Sequence, residues 1–144
     1  MTMSFYVDTC IWLNLLKNEG DISKGEPYWK IAKKFIEYVK LNSFQIVVSG
    51  LILKEIMFKA GDKFDWINEF FKREPYIKLV KTTEEDYNFA RKLEAETGFG
   101  ISFYDCLHIA ISKRLNLTLI TRDKELIKTC NNLVPVAKPE DLIN

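Results

Sequence analysis

Asp8, Glu55, Asp105 and Asp123 each close or follow an apolar run: Phe5-Tyr6-Val7 precedes Asp8, Leu51-Ile52-Leu53-Lys54 precedes Glu55, Phe103-Tyr104 precedes Asp105, and Leu119-Ile120-Thr121-Arg122 precedes Asp123. Carboxylates spread this widely become chemically useful only if the fold gathers them. A parallel sheet does so, because the carboxyl ends of its strands open onto one edge and helices that begin there add side chains to the same crevice. Gathered carboxylates repel one another unless protons or hard cations intervene, and Mg2+ is the usual oxygen-seeking partner. The pattern predicts an acidic, metal-dependent hydrolytic site.

Each acid also has to be weighed against a plain structural use. Asp8 stands between a predicted strand and the helical stretch Thr9–Leu16, where it would cap the helix. Asp105 lies three residues after Ser102, the spacing of a reciprocal cap, and Asp123 sits between a strand ending at Thr121 and a short amphipathic helix. Glu55 has no such use. On a helix it shares a face with Leu51, Ile52 and Ile56, where an unpaired carboxylate is costly, so it requires a partner. Three acids at strand-to-helix junctions and one on an apolar helix face together favour convergence.

The elements that must position them alternate. Strand character is found over 4–7, 44–48, 77–81 and 117–121, with a weaker run over 134–136. Between them the spacing predicts helices over 27–41, 50–59, 63–73, 84–97, 103–114 and 124–130. In the first of these, Trp29, Ile31, Ala32, Phe35, Ile36 and Val39 define an apolar face, with Pro27 in the first turn, and Thr83 with Asp86 has the form of a capping box. Strands alternating with helices indicate a three-layer α/β/α fold with a mostly parallel central sheet of four to five strands. The glycine-containing stretch 18–25 is expected to form a mobile loop, and Gly98-Phe99-Gly100, just before Asp105, to shape the rim of the site.

A chain of 144 residues that is 47% hydrophobic builds one core, so a single domain over 1–144 is expected. Its 21 Lys plus Arg nearly balance 20 Asp plus Glu, so any basic surface for nucleic acid must arise by local segregation, as at Lys30, Lys33, Lys34 and Lys40 or at Lys113, Arg114 and Arg122. A solvated helix face is the plainer use of these lysines. Cys10, Cys106 and Cys130 are widely spaced and odd in number, which argues against a disulfide framework or structural zinc and for a reducing, cytoplasmic setting. No apolar run approaches membrane-spanning length, so no membrane partner is expected.

Other chemistries are poorly served. With His108 as its one histidine the chain cannot build a two-histidine zinc site, and only a Ser-His-Asp arrangement around His108 would be open to it. Neither G-x-G-x-x-G after the first strand nor G-x-x-x-x-G-K-[ST] occurs. An aspartyl-phosphate phosphatase could use Asp8 as nucleophile, yet Cys10 occupies the place where such enzymes usually carry a second acid. His108, one turn after Asp105, is read as a core or supporting residue in preference to a proton shuttle.

The ordered set Val7-Asp8-Thr9, Ser49 with Glu55, Tyr104-Asp105-Cys106-Leu107-His108-Ile109-Ala110 and Thr121-Arg122-Asp123 resembles the successive motifs of PIN-domain ribonucleases, over about residues 4 to 136. The compact form is similar to the VapC-type toxins of toxin-antitoxin pairs. The resemblance implies an acidic metal site of Asp8, Glu55, Asp105 and Asp123 holding one or two Mg2+ or Mn2+ ions, with Thr9 and Thr121 as supporting hydroxyls. It further implies hydrolysis of RNA by water to leave 5′-phosphate and 3′-hydroxyl ends, a cognate antitoxin and a homodimer. A housekeeping RNA-processing nuclease and a non-catalytic binding module of the same fold are the alternatives. The stretch from Asp8 to Glu55 is long for a compact member.

Overall fold

The computed structural model describes residues 3–17, 25–61 and 64–143. The loop expected over 18–25 falls outside these residues, Gly25 apart. Five strands, β1 (Ser4–Val7), β2 (Gln45–Ser49), β3 (Ile77–Val80), β4 (Thr118–Ile120) and β5 (Val136–Ala137), alternate with helices α1 (Thr9–Leu16), α2 (Tyr28–Leu41), α3 (Gly50–Ala60), α4 (Phe64–Arg73), α5 (Glu84–Glu96), α6 (Phe103–Arg114), α7 (Lys124–Cys130) and α8 (Glu140–Ile143).

The strands form one sheet in the order β3-β2-β1-β4-β5, and every pairing is parallel. From β1 the chain steps outward to β2 and β3, then returns to the other side of β1 for β4 and β5. The reversal falls between β1 and β4, and that is where an open parallel sheet offers a crevice at its carboxyl edge. Helices on both faces explain why the central strands read as unbroken apolar runs: Phe5, Tyr6, Val7, Ile46, Val47, Val48, Leu119 and Ile120 are all buried. Phe5 meets Phe35 of α2 edge-on at 5.4 Å between ring centroids, and Trp12 of α1 meets Phe71 of α4 at 4.7 Å.

The expected three-layer α/β/α fold is thus present, with all five strands parallel. On α2, Ile31, Ala32, Phe35 and Val39 are buried as their spacing predicts, and Pro27 precedes the first turn as the N-cap. Strand 134–136 moves to Val136–Ala137, because Pro135 has no N–H to give the ladder, although its carbonyl accepts from Leu119 N at 2.9 Å. Helix α8 was not anticipated. Four residues carry no usable periodicity, and α8 is tied down by a long-range ion pair between Glu140 and Arg122.

The capping box opening α5 is complete: Thr83 Oγ1 accepts from Asp86 N, and Asp86 Oδ2 accepts from Thr83 N. Asp86 is only 1% exposed and also receives the Arg114 guanidinium of α6 through Nε at 2.8 Å and Nη2 at 3.0 Å. Burial alone would raise the Asp86 pKa, but Arg114 and the cap more than offset it and hold it below the usual 3.8. Because this acid is depressed in the folded state, its stabilisation is present above pH 3.8 and is lost as pH falls through the folded pKa. Asp86→Ala is expected to cost about 3 kcal/mol at neutral pH, the low end for a broken buried pair because Arg114 keeps some solvent access. Denaturant titrations from pH 7 downward should show the gap to wild type closing in acid.

Candidate active site

Three of the four acids stand where a helix begins at the carboxyl edge of the sheet. Asp8 follows β1 directly and caps α1, its Oδ1 accepting from Thr9 N at 2.7 Å. Asp123 follows β4 by two residues and caps α7, its Oδ1 accepting from Glu125 N and Leu126 N. Asp105 lies in the first turn of α6, where Ser102 Oγ accepts from Asp105 N at 3.0 Å. The reciprocal bond of a capping box is not made there, so the Asp105 carboxylate is not used up as a cap. The positive ends of these helices favour nearby anions by about 0.3–1 kcal/mol each, which eases the crowding of like charges.

Glu55 comes from the fourth direction, on α3, and its predicted need for a partner is met by His108: Oε1 lies 2.7 Å from Nε2. All four acids, with Thr9, Cys10, Lys59 and Arg122, line one open cavity of about 330 Å³. Asp8 and Asp123 therefore act as helix caps and also line one cavity. None of Gly98, Phe99 and Gly100, expected at the rim, is among the residues lining this cavity; Gly100 lines a separate one with Thr97, Ile101 and Lys128.

The hydroxyls sit deeper. Thr121 Oγ1 donates to Asp8 Oδ2 at 2.7 Å and accepts from Asp123 N at 3.1 Å, coupling two acids through one buried residue. Thr9 is 2% exposed, and its Oγ1, though outside strict hydrogen-bond geometry with any described group, is near enough to the Glu55 carboxylate to help hold that acid's pKa down. The Cys10 thiol donates to Asp8 Oδ2 at 3.4 Å, and burial together with Asp8 pushes its pKa up to about 12, so it remains a thiol.

The acids are unequally compensated. Burial works to raise the Glu55 pKa, but His108 and Lys59, one helical turn further along α3, hold it below the usual carboxylate value. Asp105 is the opposite case: burial and then Asp8 raise its pKa, His108 and Ser102 offset part of that, and Asp123 adds to the rise. Lys59 is the lining residue that sequence reasoning passed over, and its signal was its position four residues after Glu55. For Arg122 the sequence offers a local positive charge and a place in the Thr121-Arg122-Asp123 motif, but not its partners. Its Nη1 grips Glu140 at 2.7 Å, Nε donates to Asn14 Oδ1 at 3.3 Å, and the guanidinium lies 4.1 Å from the Tyr28 ring centroid.

The donor set suits a hard divalent cation. It consists of carboxylate and hydroxyl oxygens, the thiol stays protonated, and the imidazole is engaged with Glu55. Among the described residues, no three His, Cys, Asp or Glu groups are drawn close enough to form a ready-made metal cage. The ligands implied for Mg2+ or Mn2+ thus share a cavity but leave it open, as repelling carboxylates with separate hydrogen-bond partners should.

A PIN domain family model matches residues 5–132, and the chain belongs to the PIN domain family. FitAcB from Neisseria gonorrhoeae is similar in structure with a TM-score of 0.68 at 18% identity, over 96% of this chain and 99% of that one. VapBC2 from Rickettsia felis, bound to a DNA fragment from its promoter, gives a TM-score of 0.67 at 17% identity, over 94% of this chain and 98% of that one. VapC20 from Mycobacterium tuberculosis, described as a sarcin-ricin loop cleaving toxin, gives 0.62 at 16% identity, over 86% of this chain and 93% of that one. No curated protein sequence matches the chain significantly.

Asp105 yields a test of the crowding. An acid whose folded pKa is raised destabilises the folded state as it ionises, so the penalty grows as pH rises from 3.8 through the folded pKa and is fully present at neutral pH. In the presence of chelator, Asp105→Asn should melt above wild type at pH 7, with the difference vanishing towards pH 3.8. Thermal melts across that range check it, and a variant that melts lower at pH 7 would place Asp105 among structural caps.

Proposed function

We propose that the protein is a divalent-metal-dependent endoribonuclease and the toxin of a toxin-antitoxin pair. The observation that carries this reading is the convergence of Asp8, Glu55, Asp105 and Asp123 on one cavity at the sheet's switch point. Membership of the PIN family and the likeness to FitAcB, VapBC2 and VapC20 support it. In this reading the four acids hold Mg2+ or Mn2+, and Thr9 and Thr121 support them. The ion, when bound, supplies Lewis-acid neutralisation of charge at the phosphoryl oxygens.

The chain's own residues do the rest. Thr121 fixes the Asp8 carboxylate, so that this acid presents a defined edge to the cavity. Lys59 offers the cationic potential that draws a phosphodiester toward an otherwise repelling acidic wall, while Arg122, already paired with Glu140, adds less. Because water and not the ribose 2′-hydroxyl is the nucleophile, the products carry 5′-phosphate and 3′-hydroxyl ends. Preference for RNA over DNA rests on the family and on the VapC20 likeness.

Two protein partners complete the proposal. An antitoxin would silence the site by placing a cationic side chain among the acids, where the charge is already arranged to receive it. A second copy of the chain would pack on apolar helix surface between 26 and 73, where Leu41 is 86% exposed and Phe58 75% exposed. In that setting the protein acts in the cytoplasm; no helix among the described residues is long and apolar enough to cross a membrane.

Cleavage of a mixed RNA pool should require Mg2+ or Mn2+, stop with chelator, and be abolished in Asp8→Asn and Asp105→Asn proteins that remain folded by circular dichroism. Near-normal activity in both variants would sink the assignment. Expression of wild type alone should arrest growth while Asp105→Asn is harmless; an active but harmless wild type would instead favour a housekeeping RNA-processing nuclease. Independently of activity, Mn2+ should raise the melting temperature, corresponding to about 2.7 kcal/mol at a hundredfold excess over Kd, and far less in Asp123→Asn.

A further inference from the structure

Glu55 is the outer end of a hydrogen-bonded chain that runs inward through three fully buried side chains. Glu55 Oε1 lies 2.7 Å from His108 Nε2, His108 Nδ1 lies 2.6 Å from Tyr6 OH, and Tyr6 OH lies 2.7 Å from Ser49 Oγ. His108, Tyr6 and Ser49 are each 0% exposed. The chain joins α3, α6, β1 and the end of β2, and so ties the helices that carry Glu55 and Asp105 to the centre of the sheet.

We infer that His108 is a positioning residue with its ring proton on Nε2, set there by a one-way chain of donors from Ser49 to Tyr6 to His108, and that it fixes the Glu55 carboxylate at the cavity wall. The inference follows from counting protons. Ser49 Oγ accepts from Ile52 N as the cap of α3, and among the described residues the one acceptor for its own proton is Tyr6 OH. Tyr6 then has one proton and one remaining neighbour, His108 Nδ1, which must present its lone pair. The ring proton is left on Nε2, facing the carboxylate. Run the other way, with Nδ1 donating to Tyr6 and Tyr6 to Ser49, the chain strands the Ser49 proton in a buried site, and a neutral ring would turn a lone pair toward Glu55.

Only one direction satisfies every buried group, so the polarity set at the α3 cap is transmitted to the ring and fixes the carboxylate. A histidine held from behind in this way is the mirror of the usual arrangement in metal sites, where a carboxylate orients a ligating imidazole. The ligand-holding part of the inference rests on the proposed metal site; the proton chain does not.

His108 is the chain's one histidine, so its ring nitrogen signals need no assignment. Nitrogen-15 correlation spectra of the metal-free protein should show a protonated Nε2 and a bare Nδ1, and a proton found on Nδ1 would overturn the chain. Calorimetry with Mn2+ should then show affinity about 10- to 100-fold weaker in His108→Leu, the usual loss when a ligand's orienting partner is removed, and nearer to wild type in His108→Gln, whose amide can still donate to Glu55. Tyr6→Phe deletes one hydroxyl and leaves the ring in place; it should weaken Mn2+ binding and disturb the nitrogen pattern even if His108→Leu fails to fold. Wild-type Mn2+ affinity in folded His108→Leu or in Tyr6→Phe would overturn the positioning role. A wild type that binds no Mn2+ would instead overturn the metal site, and with it the role of Glu55 as a held ligand.

Discussion

The pairing of β1 with β4 is the constraint on which the site depends. Val7 stands opposite Ile120, Asp8 N donates to Ile120 O at 2.9 Å, and Thr121 Oγ1 donates to Asp8 Oδ2 at 2.7 Å across 113 residues of sequence. Remove that register and Asp8 and Asp123 have no reason to face the same space. A slip by one residue would be worse than a shift, because alternate side chains point to opposite faces of the sheet and Thr121 would leave the Asp8 side. The burial of Tyr6, Leu119 and Ile120 in the core makes such a slip costly.

Around that junction, each carboxylate is stabilised by a different device. Asp8 has a backbone N–H, a hydroxyl and a thiol; Asp123 has the first turn of α7; Glu55 has an imidazole behind it and Lys59 beside it. Asp105 has the least, with burial and its neighbours raising its pKa. Such unequal support keeps four acids in one cavity without pairing them off against one another. It leaves their chemistry available to a cation or a phosphate, whereas Asp86, locked by Arg114 and Thr83, is spent entirely on holding α5 to α6.

Much of this was legible in the chain. Apolar runs and their punctuation located all five strands to within about two residues, and Asp8 and Asp123 could be placed at strand-to-helix junctions because capping chemistry is local; Asp105 was expected at a third such junction, but α6 follows α5 and not a strand. The Thr83 and Asp86 box was equally readable, since both bonds lie within one turn. What sequence could not supply were partners set by tertiary packing. Glu55 was known to need a counterpart, but nothing in the spacing of residues 55 and 108 says that α3 and α6 bring Oε1 within 2.7 Å of Nε2. Helix α8 and the Arg122 cluster escaped for the same reason: their stability is long-range, from Glu140, Asn14 and Tyr28, and leaves no periodic trace.

The Thr121 to Asp8 bond also sets a clock for synthesis. A ribosome at about 5–20 residues per second needs roughly 6–23 seconds to travel the 113 residues that separate them. Throughout that interval β1 is on the growing polypeptide with neither β4 beside it nor a hydroxyl on its terminal acid. Most of the chain, including α1, α3 and α6, can be made before the cavity can close. The acidic pocket therefore comes into existence only after β4 has been made, and until then the nascent polypeptide carries its first acid with no cavity to hold it.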